Sequence, residues 1–326
     1  MNNPWEAISL PTRDLNARRI NAEHPLDLFW ARNHIGQYLF IYEFKSNEDF
    51  SNLTTPSLAG ITSGLYPAED EPGLSRVVLT LNEQANWEIF YSLCMDVFHS
   101  TSQLTSAEGS AQSILRRLQR WHEFLKKRRS ELLSEEQIKG LLGELIFLHD
   151  YLFATFDPGQ AIKFWLGPEG FPQDFNVNNC SIEVKCQAGG TSPIIRVSSI
   201  DQLCSQMPEM YLFVVTLGKS SSELEGALNL PGLVSKIRAD LNRVGSDQME
   251  RFNDLLFVAG YIDSERYLEY SYVLTNEDMF RVGGEFPRIC RSEVHPGIAR
   301  VVYDIDLSLC EPFAEWPDWI EKSDGA

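Results

Sequence analysis

Asp174, Glu183 and Lys185 offer two carboxylates and an ammonium within one short stretch, FPQDFNVNNCSIEVKCQ at 171–187. Two alternating runs meet there at Asn178-Asn179, and paired Asn tolerates the positive φ of a two-residue hairpin turn, so two antiparallel strands are predicted. In that register Val177 faces Cys180, Asn176 faces Ser181, Phe175 faces Ile182, and Asp174 falls opposite Glu183. Period-two alternation puts Phe175, Val177, Cys180, Ile182 and Val184 on an apolar face, and Asp174, Asn176, Glu183, Lys185 and Gln187 on the other. Directly opposed carboxylates have Cβ atoms roughly 4.5–5.5 Å apart and repel unless a positive charge lies between them. A hard divalent cation meets that need, bound by both carboxylates and the Val184 carbonyl. Lys185 then stands where a compact ammonium can hold an attacking water or neutralise a developing phosphorane, and Gln187 can orient a water or phosphate.

These residues need a helix and further strands to position them. Ser134 with Gln137 forms a capping box, so a helix is predicted from 134 to about 152. Ile138, Leu141, Leu142, Leu145 and His149 make its apolar face, and Glu144 lies on the border, able to reach a site at the helix–sheet seam. Gly140 and Gly143 lie away from that stripe, where a missing Cβ permits close approach of another backbone. Residues 193–199 read as a third strand, 200–207 as a short helix and 210–217 as a buried strand. Each motif has a plain alternative: Asp174 as a turn residue, Glu183 and Lys185 as a solvated strand face, Glu144 as a solvated helix residue.

Asp, some nine residues, then Glu-x-Lys on paired strands resembles the PD-(D/E)XK nuclease superfamily, whose αβββαβ core the order of elements over roughly 134–217 matches. GLLGELIFL, Trp165-Leu-Gly-Pro168, DF, EVK, SSIDQL and VYDIDL are more narrowly similar to a bacterial family of uncharacterised PD-(D/E)XK proteins. Pro172-Gln-Asp174 departs from a strict Pro-Asp. The resemblance implies a mixed α/β protein with a restriction-endonuclease-like core at 106–220, a β-rich region with a docking helix at 1–105 and an α/β extension at 221–326. It implies a Mg²⁺-dependent DNA endonuclease, with Mn²⁺ able to substitute. Asp174 and Glu183 would hold the metal, Glu144 would complete the site and Lys185 would position water. A bacterial restriction or phage-defence setting follows, with a separate methylase or ATPase as partner and an oligomer open. The competing readings are a catalytically silent DNA-binding or assembly subunit and, from two close carboxylates alone, a glycoside hydrolase. Lys185 and the lack of an aromatic cluster nearby disfavour the hydrolase. No phosphate-binding glycine loop indicates ATP or dinucleotide use.

The 326 residues are 43% hydrophobic and 23% charged, ordinary for a globular protein, but the net charge of −18 repels a polyphosphate. Nucleic acid therefore has to meet a local basic patch. The helix predicted over 111–129 supplies one: Ile114, Leu118, Trp121 and Leu125 form its apolar stripe, while Arg116, Arg117, Arg120, Lys126, Lys127, Arg128 and Arg129 face the single acid Glu123. Arg116, Arg120 and Lys127 are the candidate phosphate contacts; a solvated helix face is the alternative. Arg281, Arg288, Arg291 and Arg300 form a weaker second group.

Upstream, runs at 26–31, 35–44 and 76–81 suggest a small antiparallel sheet with 57–73 as its longest loop, preceded by an arm docked through Trp5 and followed by a helix at 85–104. Downstream, helices are expected at 231–244 and 248–261, and strands at 267–274 and 299–307. The six cysteines show no metal or redox spacing and read as free thiols in a reducing cytoplasm. Neither a signal peptide nor an apolar run of about 20 residues is evident, so a cytoplasmic protein is expected.

Overall fold

The computed structural model describes residues 3–45, 55–67, 73–102, 110–127 and 132–320. Contacts divide the chain into two compact units, Met1–Leu132 with Ile262–Ser264, and Leu133–Tyr261 with Glu265–Ala326.

The first unit holds β1 (Leu15–Arg19), β2 (Asp27–Asn33), β3 (Tyr38–Lys45), β4 (Ile61–Pro67) and β5 (Leu74–Leu81), an antiparallel sheet in the order β1-β2-β3-β5-β4. β2, β3 and β5 are the strands that the aromatic and β-branched runs predict. β1 and β4 are edge strands: LNARR is mostly exposed, and ITSGLYP carries Gly64 and ends on Pro67, so neither shows the alternation of a half-buried strand. The predicted loop at 57–73 thus contains β4, and 68–72 lie outside the described residues. Trp5 is fully buried, donates its indole N–H to Leu39 O at 2.8 Å and stacks on Tyr38 and Phe90, docking the arm as expected.

Helices α1 (Trp87–Thr101) and α2 (Ser110–Lys127) complete this unit. The stripe of α2, Ile114, Leu118, Trp121 and Leu125, is buried. Arg117 does not belong to its open face: its Nε and Nη2 each donate to Asp96 at 2.6 Å, beside the Trp121 indole.

In the second unit the Ser134 capping box forms as predicted and starts α3 (Glu135–Ile146), which continues through a π-helical turn at Phe147–Leu152. A short α4 (Pro158–Phe164) leads to β6 (Phe175–Val177) and β7 (Cys180–Ala188). β8 (Ile194–Val197), β9 (Glu209–Ser220), α5 (Leu230–Leu241), α6 (Ser246–Ala259), β10 (Ser271–Arg281) and β11 (Tyr303–Asp306) follow. The central sheet runs β10-β9-β7-β6, with β7 and β9 parallel and the other pairs antiparallel. The extension therefore adds β10 to the same sheet.

Two features differ from the expected core. β8 leaves β7 and pairs with β11, Ile195 opposite Ile305, in a separate two-stranded layer. Residues 200–203 form a turn and not a helix. Gln202 Oε1 accepts from Ser198 N at 2.8 Å, Ser199 Oγ accepts from Asp201 N, and Gln173 Nε2 donates to Asp201 O at 2.6 Å. The first two are local side-chain bonds of the kind that compete with helical ones, and the third comes from a residue distant in sequence.

On one side of the sheet Phe147 of the extended α3 packs on Phe175 and Phe213. On the other, Leu212 and Val214 join Ile195, Val197 and Ile305 in one core. Cys204 and Cys290 are disulfide-bonded, with Cα atoms 5.8 Å apart, which corrects the expectation of six free thiols. Their separation of 86 residues left no spacing to read. Cys94, Cys180, Cys186 and Cys310 are free. Among the described residues no helix is long and apolar enough to cross a membrane.

Candidate active site

The hairpin has the predicted register, Phe175 to Ile182, Asn176 to Ser181 and Val177 to Cys180, and Asn178 takes the positive φ, 55°, that the turn requires. The ladder ends at Phe175, one residue short of Asp174. Asp174 is therefore not the ladder partner of Glu183. Its carboxylate occupies the edge that a longer β6 would cover, with Oδ2 accepting from Val184 N at 2.7 Å.

Parallel pairing places Glu183 beside Leu212, Lys185 beside Val214 and Gln187 beside Thr216. These side chains share the face that looks toward β8 and β11, whereas Val184 and Cys186 face α3. A Cβ on Gly143 would lie 2.8 Å from Cys186 Sγ and 3.2 Å from Val184 Cγ1, so this glycine sets the close approach of α3. At Gly140 nothing lies within 4 Å, and that glycine has no such role. Glu144 consequently comes from one side of the sheet and Glu183 with Lys185 from the other, meeting where β6 stops.

Glu183 is only 1% exposed; Oε1 accepts from Lys185 Nζ at 2.5 Å, and Oε2 is buried with no hydrogen-bond partner. Glu144 Oε2 accepts from the Trp165 indole N–H at 2.7 Å. A Cβ on Gly167 would lie 2.8 Å from Asp174 Oδ1 and 3.2 Å from Glu144 Oε2, so these two oxygens border one small gap.

Burial is the main force on the three carboxyls. It raises Glu183 well above the usual range, with Asp174 and Glu144 adding repulsion and Lys185 opposing. It raises Glu144 likewise, joined by Asp174 and opposed by Trp165 and Lys185. Asp174 is raised by burial against the pull of Lys185 and the Val184 N–H. For Lys185 burial acts against the charge, but Glu183, Asp174 and Glu144 outweigh it and hold the ammonium above the ordinary lysine range. Ionising all three carboxyls would leave more negative charge than Lys185 alone balances.

Whether a divalent cation fits is decided by these oxygens. Among the described residues no three His, Cys, Asp or Glu side chains form a ready cage. Mg²⁺ does not require one: it keeps several waters and binds through one or two carboxylates plus substrate phosphates. The unpartnered Glu183 Oε2 and the gap beside Asp174 and Glu144 supply hard oxygen donors of that kind, and the residues fit such an ion.

Gln187 lies two residues beyond Lys185, its Nε2 donating to Thr216 Oγ1 at 2.8 Å and its Oε1 buried without a partner. Arg116 and Arg120 are exposed on α2, in the other compact unit. The side chains of Lys126 and Lys127, and residues Arg128 and Arg129, lie outside the described residues. Arg281 pairs with Glu315, Arg288 with Leu203 O and Arg291 with Ile298 O, so these three already have protein partners. Gln173, between Pro172 and Asp174, is buried and ties this segment to the 200–203 turn. Trp165 and Gly167 are site neighbours that the motif alone did not single out, although the Trp-Leu-Gly run ahead of Asp174 was their signal.

A carboxylate at a strand end, Glu-x-Lys on the adjoining strand, a Glu-bearing helix behind and a parallel strand beyond make this a mixed α/β protein with a PD-(D/E)XK-like fold. Over residues 1–308 the chain matches the family described as "Putative PD-(D/E)XK family member (DUF4420)", and it belongs to that family. Neither the curated proteins nor the solved structures contain a match.

Proposed function

We propose that this chain is a metal-dependent endonuclease that hydrolyses phosphodiester bonds of DNA. The observation that carries this reading is the buried, unpartnered Oε2 of Glu183 in a cluster of three carboxylates with one lysine. Asp174 and Glu183 would hold a Mg²⁺ ion, or Mn²⁺ in its place, with Glu144 bound directly or through water. When bound, such an ion lowers the pKa of its water and offsets charge on the phosphate.

In the metal-free protein the carboxyls around Lys185 outweigh its burial and hold it above the ordinary lysine range. As an ammonium it would donate hydrogen bonds, orienting the attacking water and stabilising the phosphorane oxygens. Gln187, on the same face, would orient a water or phosphate oxygen. Arg116, Arg120 and Lys127 would contact backbone phosphates. Family resemblance alone supports a bacterial restriction or phage-defence setting with a separate methylase or ATPase.

A plasmid and linear DNA cleavage assay with Mg²⁺ or Mn²⁺ tests the reading. Wild type should cut only with metal, and Lys185→Ala should lower the rate by about 10²-fold or more, the usual cost of losing a group that stabilises the transition state. The second reading, a catalytically silent DNA-binding or assembly subunit, is favoured by the Lys185–Glu183 ion pair, which already occupies one oxygen of a metal ligand. DNA binding without any metal-dependent cleavage of DNA or RNA would select it.

A further inference from the structure

We infer that Trp165 and Gly167 are positioning residues of this site: the Trp165 indole fixes Glu144, and the bare Cα of Gly167 keeps open the gap between Glu144 and Asp174. The inference rests on the metal-site reading above.

Trp165 is fully buried at the end of α4, bridges Phe175 through the backbone and lies against Phe252 at 6.1 Å between ring centroids. Its backbone is thus fixed by α4 and by the bridge to β6, and its ring by Phe252 of α6. Indole N–H donates and cannot accept, so it selects a carboxylate oxygen and pins it. Glutamate has three rotatable side-chain bonds, and the 2.7 Å contact leaves Glu144 Oε2 in a defined place. The next two residues act on the other carboxylate. Leu166 N and Gly167 N donate to Asp174 O at 2.8 and 3.0 Å, fixing the backbone from which that side chain departs. One three-residue run therefore sets the relative position of two carboxylates that come from different elements.

Gly167 is not among the residues with positive φ, so backbone conformation does not demand a glycine there. Space does. A methyl group would stand 2.8 Å from Asp174 Oδ1, 3.2 Å from Glu144 Oε2 and 3.3 Å from Asp174 Cα, filling the gap that both oxygens border and displacing Asp174. Groups that orient ligating carboxylates typically change metal affinity by 10–100-fold when removed.

Isothermal titration of Mn²⁺ into the full chain tests this, with the melting temperature of each metal-free variant measured alongside. Trp165→Phe keeps a ring and loses the donor, and Gly167→Ala adds the methyl; each should weaken Mn²⁺ binding by about 10–100-fold. Gly140→Ala, at an open position, should bind as wild type does, and Asp174→Asn should lose binding. A ¹H–¹⁵N spectrum supplies a metal-free readout: the indole resonance lost in Trp165→Phe should shift in Glu144→Gln. Should Trp165→Phe fail to fold, Gly167→Ala decides the question. If wild type binds, Asp174→Asn does not, and both Trp165→Phe and Gly167→Ala match wild type, this inference alone is overturned. Absence of Mn²⁺ binding by wild type would overturn both it and the nuclease reading.

Discussion

At Glu183 burial and charge are in conflict, because a carboxylate 1% exposed has one oxygen on Lys185, the other on nothing, and two more carboxyls nearby. Its folded-state pKa, and that of Glu144, lie above the unfolded value of about 4.3. Groups shifted in that direction favour the folded state fully below the unfolded pKa, and the contribution is lost as pH rises through the folded one. Metal-free wild type should therefore lose stability between pH 5 and 8 in urea titrations, and Glu183→Gln should flatten that dependence. At pH 8, Mg²⁺ at ~100 Kd should raise wild-type stability by about 2.7 kcal/mol, with little gain in Glu183→Gln. Superimposable pH curves for the two proteins would show that Glu183 is not the strained group. The identities of these residues were legible because hairpin chemistry and period-two alternation are local. The bond from Val184 N to Asp174 was not, since it depends on where β6 happens to stop.

Along α3 the two glycines look alike in sequence and differ in the fold. Gly143→Ala would drive a methyl to 2.8 Å from Cys186 Sγ, and such overpacking should cost about 1–3 kcal/mol. Gly140→Ala meets nothing within 4 Å and should gain up to about 1 kcal/mol from helix propensity. Thermal or urea unfolding of the pair checks this, and equal effects would remove Gly143 from the helix–sheet contact. α3 itself was readable, because a capping box and a 3.6-residue stripe are contained within one segment. The partner of β8 was not, since Ile195 meets Ile305 across more than a hundred residues. The 200–203 turn was misread for a related reason: Gln173, distant in sequence, supplies one of the bonds that replace a helix. The Cys204–Cys290 bond belongs with these long-range features; Arg288 Nη1, donating to Leu203 O, helps bring its two ends together.

Charge is a property of the whole chain, and it was the whole-molecule feature the sequence exposed most directly: −18 overall, with a local basic excess on α2. The fold refines that excess. Arg117 is engaged with Asp96, while Arg116 and Arg120 stand exposed one helical turn apart. An acidic protein that binds nucleic acid depends on so local a footprint, because the remaining surface repels phosphate within the Debye length of ~8–10 Å. If α2 provides it, reversing Arg116, Arg120 and Lys127 to Glu should weaken binding to all DNA sequences alike. Each lost phosphate contact removes about 0.9 from the slope of log K against log salt, so the triple variant should be flatter by about 3. Fluorescence anisotropy at several salt concentrations measures this directly. A slope equal to that of wild type would leave α2 as a solvated face and require the phosphate contacts to come from another part of the chain.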